Sequence, residues 1–468
     1  MKRRKFSGVD ELLLTNVHKT NQNFNSLSDI FTLTDNKDDN KTLASTEKGV
    51  LGDTEIMLFT GVSKQVKYVS RGDVLMGADC MPQVVIDIST IAEQDIYEII
   101  PVEHSGQDNF LVNGNYTLVL KCNISTRICE RDRKNFPYMV QYLEITNNQL
   151  KRYGPSFKTR DEAENFATLK TSSDGIIWTT SVLNFLNTVA STRGDCKLFK
   201  PNLIIFPTPT LQLKVSLSQI FPLLESNQPF INLTAWCLGM WLTDGVSARQ
   251  WISQGGPVYP AQSHHQEAMN EMLRWGNEID FIIPQVLDKT SSGGNPVYYF
   301  KFPLQFRKLL RIYDLLNNKH FPHSLLTESV EIRMHLLGGI IDGDGYYDEK
   351  SKSYEVACKH LHFAQQLKFL AKSLGFRVGR IADKTVLLNK DTCETWSGHR
   401  LIISGNNLTD LAPYIRISYK RCLGVNPNKD SNCWGFKIIK RDASPTYGIK
   451  VQESTQILMK DFTVTCTS

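Results

Sequence analysis

The hydrophobic and polar positions of this chain change rhythm twice. From Leu51 to Cys122, short β-branched runs ("EIMLFTG", "VKYVSRGDVLMG", "QVVIDIS", "YTLVLKC") are broken by Gly, Asp and Asn, the pattern of strands joined by turns. A mixed stretch follows to about Ile220, with Pro201, Pro207 and Pro209 marking a boundary. From Pro229 helical spacing takes over. "TAWCLGMWLTDG" and "RMHLLGGIIDGDG" predict apolar helices, "AMNEMLRWGNEI" and "FAQQLKFLAKSLGF" amphipathic ones, and "NPVYYFKF" and "HRLIISG" strands. After Tyr419 strand character returns in "CWGFKII", "TYGIKV" and "FTVTCTS". The simplest organisation is an α+β chain in which a β module is interrupted by an α/β insert. The predicted divisions are a polar, aperiodic tail over 1–48, a first β part over 49–225, the insert over 226–418 and a second β part over 419–468.

The insert contains a repeat of about 100 residues. Cys237-Leu238-Gly239-Met240-Trp241-Leu242-Thr243-Asp244-Gly245 aligns with Leu337-Gly338-Gly339-Ile340-Ile341-Asp342-Gly343-Asp344-Gly345. In each copy small residues stand four apart, Gly239 with Thr243 and Gly339 with Gly343, which puts them on one helical face and lets a second helix approach closely. Packing the two helices together would bring Asp244 and Asp344 side by side. A helix C-terminus already carries about half a negative charge, and two adjacent carboxylates repel or share a proton. A divalent cation resolves both problems, and hard oxygen ligands in a partly open site favour Mg²⁺. A metal so held can activate water and stabilise the leaving oxygen in phosphodiester hydrolysis. A calcium loop in "DGDGYYDEK" is excluded by Tyr346, Tyr347 and Ser353 at positions where an EF-hand needs Asp/Asn, Gly and Glu.

Charge sharpens the picture slightly. The net +5 is weak over 468 residues, yet Lys121–Arg160 holds nine Lys/Arg against three Asp/Glu, and Lys352–Lys390 eight against two. Two basic regions in a nearly balanced chain suggest faces for a polyanion. The ten cysteines include no CxxC pair, so spacing predicts neither zinc nor a disulfide framework. No signal-peptide core or long apolar span appears, which predicts a protein without membrane contact. "KRRK" at Lys2–Lys5 is a candidate nuclear-import signal.

The repeated motif resembles that of LAGLIDADG homing endonucleases, and "FPHSLLTESVEIRMHLLGGIIDGDGYY" in particular is similar to the subfamily of the yeast vacuolar ATPase intein and the mating-type switching endonuclease. The resemblance runs from about Gly52 to the C-terminus. It implies a self-splicing-type Hint domain split by a two-repeat endonuclease of αββαββα type, with Asp244 and Asp344 as metal-holding catalytic residues. It implies a basic residue beside each metal site: Lys301, with Lys289 before it, in the first repeat, and Arg400, with His399, in the second. It implies a long, asymmetric double-stranded DNA target, a nuclear site of action and a monomer, since one chain carries both motifs. The basic Lys121–Arg160 stretch becomes a DNA-binding arm. The splicing stations look vacant: the nucleophile position falls at about Gly49, the block histidine at Thr126, and the terminal His-Asn at Cys466-Thr467. The expected function is therefore a site-specific endonuclease without splicing. The alternative is a cleavage-dead DNA-binding relic.

Overall fold

The computed structural model describes residues 47–122, 126–171, 175–207, 212–224, 226–255, 262–283, 285–288, 297–389 and 394–467. Residues 1–46 of the predicted tail, and Lys289, lie outside the described residues.

The β module is built from both ends of the chain. The strand Pro82–Pro101 runs antiparallel to Phe436–Val451, and Thr117–Cys122 lies between Ile176–Ser181 and Cys196–Phe199, which in turn pairs with Cys433–Trp434. Residues on both sides of the insert share one core, with Val85, Ile99, Leu118 and Trp178 packed among Trp434, Ile449 and Ile457. "QVVIDIS" predicted a strand of seven residues, and the observed strand has 20. Its middle, Asp87 to Asp95, is largely exposed and has no regular alternation to join the apolar runs on either side. Its backbone groups are satisfied by a partner more than 300 positions away, a constraint that local sequence does not carry. The basic stretch forms a small separate sheet of Arg127–Glu130, Tyr138–Thr146, Gln149–Tyr153 and Ser156–Phe157. Helix Arg160–Lys170 covers it, started by a capping box between Thr159 and Glu162.

The insert is centred on two antiparallel-sheet units and the two motif helices, Gln228–Asp244 and Val330–Asp344. One sheet joins Trp251–Gly255, Val297–Lys301 and Gln285–Asp288, and the other has Gly345–Asp348, Ser353–Cys358 and Glu394–Ser404 in its path. The copies differ. The second places a full strand, Gly345–Asp348, directly after its motif helix, whereas the first has there only an isolated bridge between Gly245 and Ile252. Each sheet turns alternate residues inward: Ile252 and Phe300 in the first, Tyr354, Val356, Leu401 and Ile403 in the second. Among the described residues the cysteines are free, and no helix is long and apolar enough to cross a membrane.

The motif helices start on side-chain caps, Asn227 accepting from Phe230 N at 3.1 Å and Ser329 from Ile332 N at 3.4 Å. Nearly every side chain beyond the first turn is buried, so these helices lack a solvent face and read as apolar all round. What fixes their mutual position is glycine. A methyl group added to Gly239 would lie 3.0 Å from the Gly339 Cα and closer still to the Leu336 carbonyl. One added to Gly339 would lie 3.0 Å from the Met240 amide nitrogen and closer still to the Trp236 carbonyl. The helices therefore touch backbone to backbone. Gly339→Ala is expected to destabilise the fold by about 1–3 kcal/mol through overpacking, seen as a lower urea midpoint. An unchanged midpoint would show that the helices can separate freely.

Candidate active site at the helix ends

Close contact carries through to the last turn of both helices. A methyl group on Gly343 would lie 2.8 Å from Thr243 Cβ and 3.2 Å from an Asp244 carboxylate oxygen, so Asp244 reaches over the residue that precedes Asp344. Gly245 and Gly345 end the helices in extended conformation (φ −68°, ψ 142° and φ −76°, ψ 140°), and their amides donate to Trp241 O and Ile341 O. Two negative helix ends and two carboxylates thus meet at one point. Asp344 is open to solvent yet crowded by protein, and its carboxyl is raised above the ordinary value because burial outweighs the attraction of Lys319 and Lys420.

The two acids of "DGD" have separate roles. Asp342 is buried, and its Oδ2 accepts from Trp236 Nε1 and from Arg416 N at 2.7 Å each, while Oδ1 accepts from Ile417 N at 3.1 Å. Burial pushes its carboxyl up to about 6 against the pull of these donors. It ties the first helix and the 416–417 segment to the second helix. Asp344 faces the site.

Sequence reasoning missed the two cations that complete the arrangement. Lys420 Nζ is buried and donates to Ile341 O (3.1 Å), Asp342 O (2.6 Å) and Gly343 O (2.8 Å), capping the second helix. Lys319 Nζ donates to Thr243 O at 2.7 Å, capping the first, and lies 5.4 Å from the Trp241 ring centroid. Burial lowers both amines, Lys319 to about 8, while Asp244 and Asp344 pull each back up. Lys319 follows Asp244 by 75 positions and Lys420 follows Asp344 by 76. That matched offset was the available signal, and it shows only once both repeats are aligned past their helices.

The basic residues singled out from sequence make contacts of their own within each sheet. Lys301 lies over the Trp251 ring, 4.4 Å from its centroid, on the outward face of the first sheet. Arg400 is 3.7 Å from Glu355 on the outward face of the second, and His399 pairs with Asp383 at 3.1 Å. Asp244, Asp344, Lys319 and Lys420 are the groups the fold brings together. A cavity of about 850 Å³ opens at the seam between the β module and the helix Leu361–Ser373, with neither motif aspartate in its lining.

In the β module the ends converge as well. Lys48, Tyr116, Cys466 and Thr467 line one small hollow, and Tyr116 and Thr465 share a hydroxyl hydrogen bond of 2.5 Å. Gly49 donates to Asn113 Oδ1 at 3.1 Å. A side chain there would meet Thr446 Cβ at 2.7 Å and Ile91 Cδ1 at 2.9 Å. Thr126 is exposed and hydrogen-bonded to Thr171.

The family model described as Hom_end-associated Hint matches residues 51–465. The chain belongs to this homing-endonuclease-associated Hint family. Membership accords with both halves of the fold, a Hint unit made from the two chain ends and a homing-endonuclease region between them. No curated protein matches it. Solved structures of the homing endonuclease I-DmoI resemble part of it: one in complex with DNA and Ca at 11% identity and TM-score 0.27, covering 42% of this chain and 94% of that one, and one with DNA and Mn at 12% and 0.26, covering 40% and 96%. That likeness is too slight to carry weight for function.

Asp342 and Asp344 should respond oppositely to substitution. Asp342→Ala leaves three buried N–H donors without an acceptor and is expected to cost about 3 kcal/mol or more. Asp344→Asn removes a charge from a helix C-terminus and should raise stability in EDTA by a few tenths to about 1 kcal/mol. The Asp344 carboxyl is raised in the fold, so its contribution is complete below the unfolded value and lost as pH rises through the folded one. The gain from Asn should therefore appear at neutral pH and vanish in acid. Urea unfolding at both pH values checks this, and equal destabilisation by the two variants would contradict the division of roles.

Proposed function

We propose that this chain is a site-specific double-strand DNA endonuclease in which Asp244 and Asp344 hold a divalent cation, Mg²⁺, and in which protein splicing has been lost. The observation that carries the reading is the meeting of two carboxylates at two helix C-termini, where burial already disfavours the charge on Asp344. The donor set fits the ion. Among the described residues no three His, Cys, Asp or Glu gather as a metal cluster, and Mg²⁺ is commonly held by one or two carboxylates with water and substrate phosphate completing its shell. When bound, such an ion supplies an activated water and stabilises the leaving oxygen.

The remaining steps belong to the chain's own groups. Lys319 and Lys420, fixed by backbone carbonyls at the two helix ends, place positive charge beside the position of a phosphodiester lying across the acids. Their rigid anchoring means that little reorganisation accompanies charge build-up on the phosphate. Lys301 and Arg400 extend from the outward sheet faces and serve DNA contact. The strands of each repeat would read one half-site in the major groove, and because the copies differ in sequence and in strand number the target is long and asymmetric. One chain supplies both acids and acts as a monomer, in the nucleus. Loss of splicing is supported by Gly49, which offers neither a nucleophile nor room for one.

The deciding experiment is Mg²⁺-dependent cutting of a genomic DNA library from the source organism, with sequencing of the new ends. Recurrent breaks that fall about 100-fold or more with Asp344→Ala, Asp244→Ala or Lys420→Met are expected. Specific duplex binding with no breaks from the unmodified protein would instead identify a cleavage-dead relic. A shortened chain or ligated ends by intact mass would contradict the loss of splicing.

A further inference from the structure

The first repeat carries a group of cations that the proposed chemistry does not use. The turn Arg249–Trp251 and the helix Leu304–Ile312 enclose an open hollow of about 370 Å³, lined by Arg249, Trp251, Leu304, Arg307, Lys308 and Arg311. Phe306, Leu309 and Leu310 anchor the inner side of that helix in the core, so its basic side chains are presented outward from a fixed support. Leu304 is 68% exposed beside them. Arg249 stacks on Trp251 at 4.3 Å and Lys301 approaches the same ring at 4.4 Å. Arg307 is steadied by Gln250 at 3.5 Å. Among the described residues none of Arg249, Lys301, Arg307, Lys308 or Arg311 has a carboxylate within ion-pair distance.

The second repeat is different. On its outward face Glu355 holds Lys384 at 2.5 Å and Arg400 at 3.7 Å. Positive charge there is largely compensated within the protein. Placing several like charges together without acids disfavours the unbound state, and a polyanion relieves it.

We infer that this shoulder of the first repeat grips the sugar–phosphate backbone of duplex DNA beside the cut, so that the two half-sites are held unequally, the first by phosphate contacts and the second mainly by its shape and base edges. The inference rests on the endonuclease reading above. Duplex DNA is favoured over an acidic protein surface by continuity. Trp251 bridges the hollow to Tyr299 and Lys301 on the outward sheet face. The Arg249 carbonyl accepts from Trp241 Nε1 at 2.9 Å, which fixes the turn to the last turns of the helix that ends in Asp244. A phosphate held here keeps a set distance from the acids. Three guanidinium groups supply the planar forks suited to phosphate oxygens.

The test uses the full chain carrying Arg307→Gln, Lys308→Gln and Arg311→Gln together, with anisotropy of a labelled random-sequence duplex in EDTA across a salt series. Each phosphate contact contributes about 0.9 to the slope of log K against log salt, so between about 50 and 200 mM salt the unmodified protein should lose about 40-fold more affinity than the variant. The unfolding midpoint should not move, since the substituted groups lie at the surface. Equal slopes in a protein that binds and cuts would overturn the inference alone, as would the same flattening from Lys368→Gln with Arg380→Gln, cations that line the seam cavity instead. An unmodified protein that binds no duplex at low salt would overturn the endonuclease reading and this inference with it.

Discussion

Backbone contact between the two motif helices is the constraint from which the rest of the endonuclease follows. Gly239 rests on the second helix at Leu336 and Gly339 on the first at Trp236. With no side chain between the axes, the helices stay together through their final turns. Two carbonyl-rich ends and two carboxylates are then forced into one small volume, an arrangement that electrostatics alone would disperse. The fold answers with Lys319 and Lys420, each tied to the carbonyls of one helix end. The lysines neutralise the helix termini more directly than they neutralise the acids, because their hydrogen bonds go to backbone oxygen. At Asp344 burial still outweighs the attraction of the two lysines. Catalytic potential here is the part of an electrostatic conflict that packing leaves unresolved.

The division between Asp342 and Asp344 expresses the same economy. Two residues apart on a helix, side chains point in different directions. One finds Trp236 Nε1 and two backbone amides and becomes a structural acceptor. The other emerges where the partner helix also ends. The identical residue type is stabilising at one position and costly at the other, and the surrounding donors, not the carboxyl, make the difference.

What could be read from sequence was what repeats or alternates locally. The paired motif helices, their small-residue face and their terminal aspartates were legible because each is encoded within about ten residues and occurs twice. The α+β class was legible from the change in periodicity. The length of Pro82–Pro101 was not, since its largely exposed middle is held by Phe436–Val451 across the whole insert. Lys319 and Lys420 were not either. Each sits in an unremarkable polar context, "NNKHF" and "ISYKR", and acquires meaning only when the chain returns to the helix ends. Lys301 and Arg400 attracted attention because they lie on recognisable strands, where they contact the Trp251 ring and Glu355.

The Hint unit and the second motif helix are joined at the seam by buried cations. Arg333, fully buried near the start of the second motif helix, donates to Glu328 O at 2.8 Å, to Ser373 Oγ and to Ile204 O at 2.6 Å each, and lies over the Phe206 ring. Lys372 donates to Gly106 O at 2.7 Å and to Gln107, and Lys200 donates to Lys372 O at 3.2 Å. Burial lowers Arg333 to about 9 and both lysines to about 7. Their acceptors are mainly backbone carbonyls, and two of those, Ile204 O and Gly106 O, lie in the part of the chain before the insert. Taking that module away would strip buried cations of their hydrogen bonds, and a polar group left buried without a partner costs more than the bond was worth. The helix that ends in Asp344 is thus anchored at its other end in the Hint unit. Loss of the β fold would leave buried cations beside this helix without acceptors, so the two parts of the chain are coupled in stability.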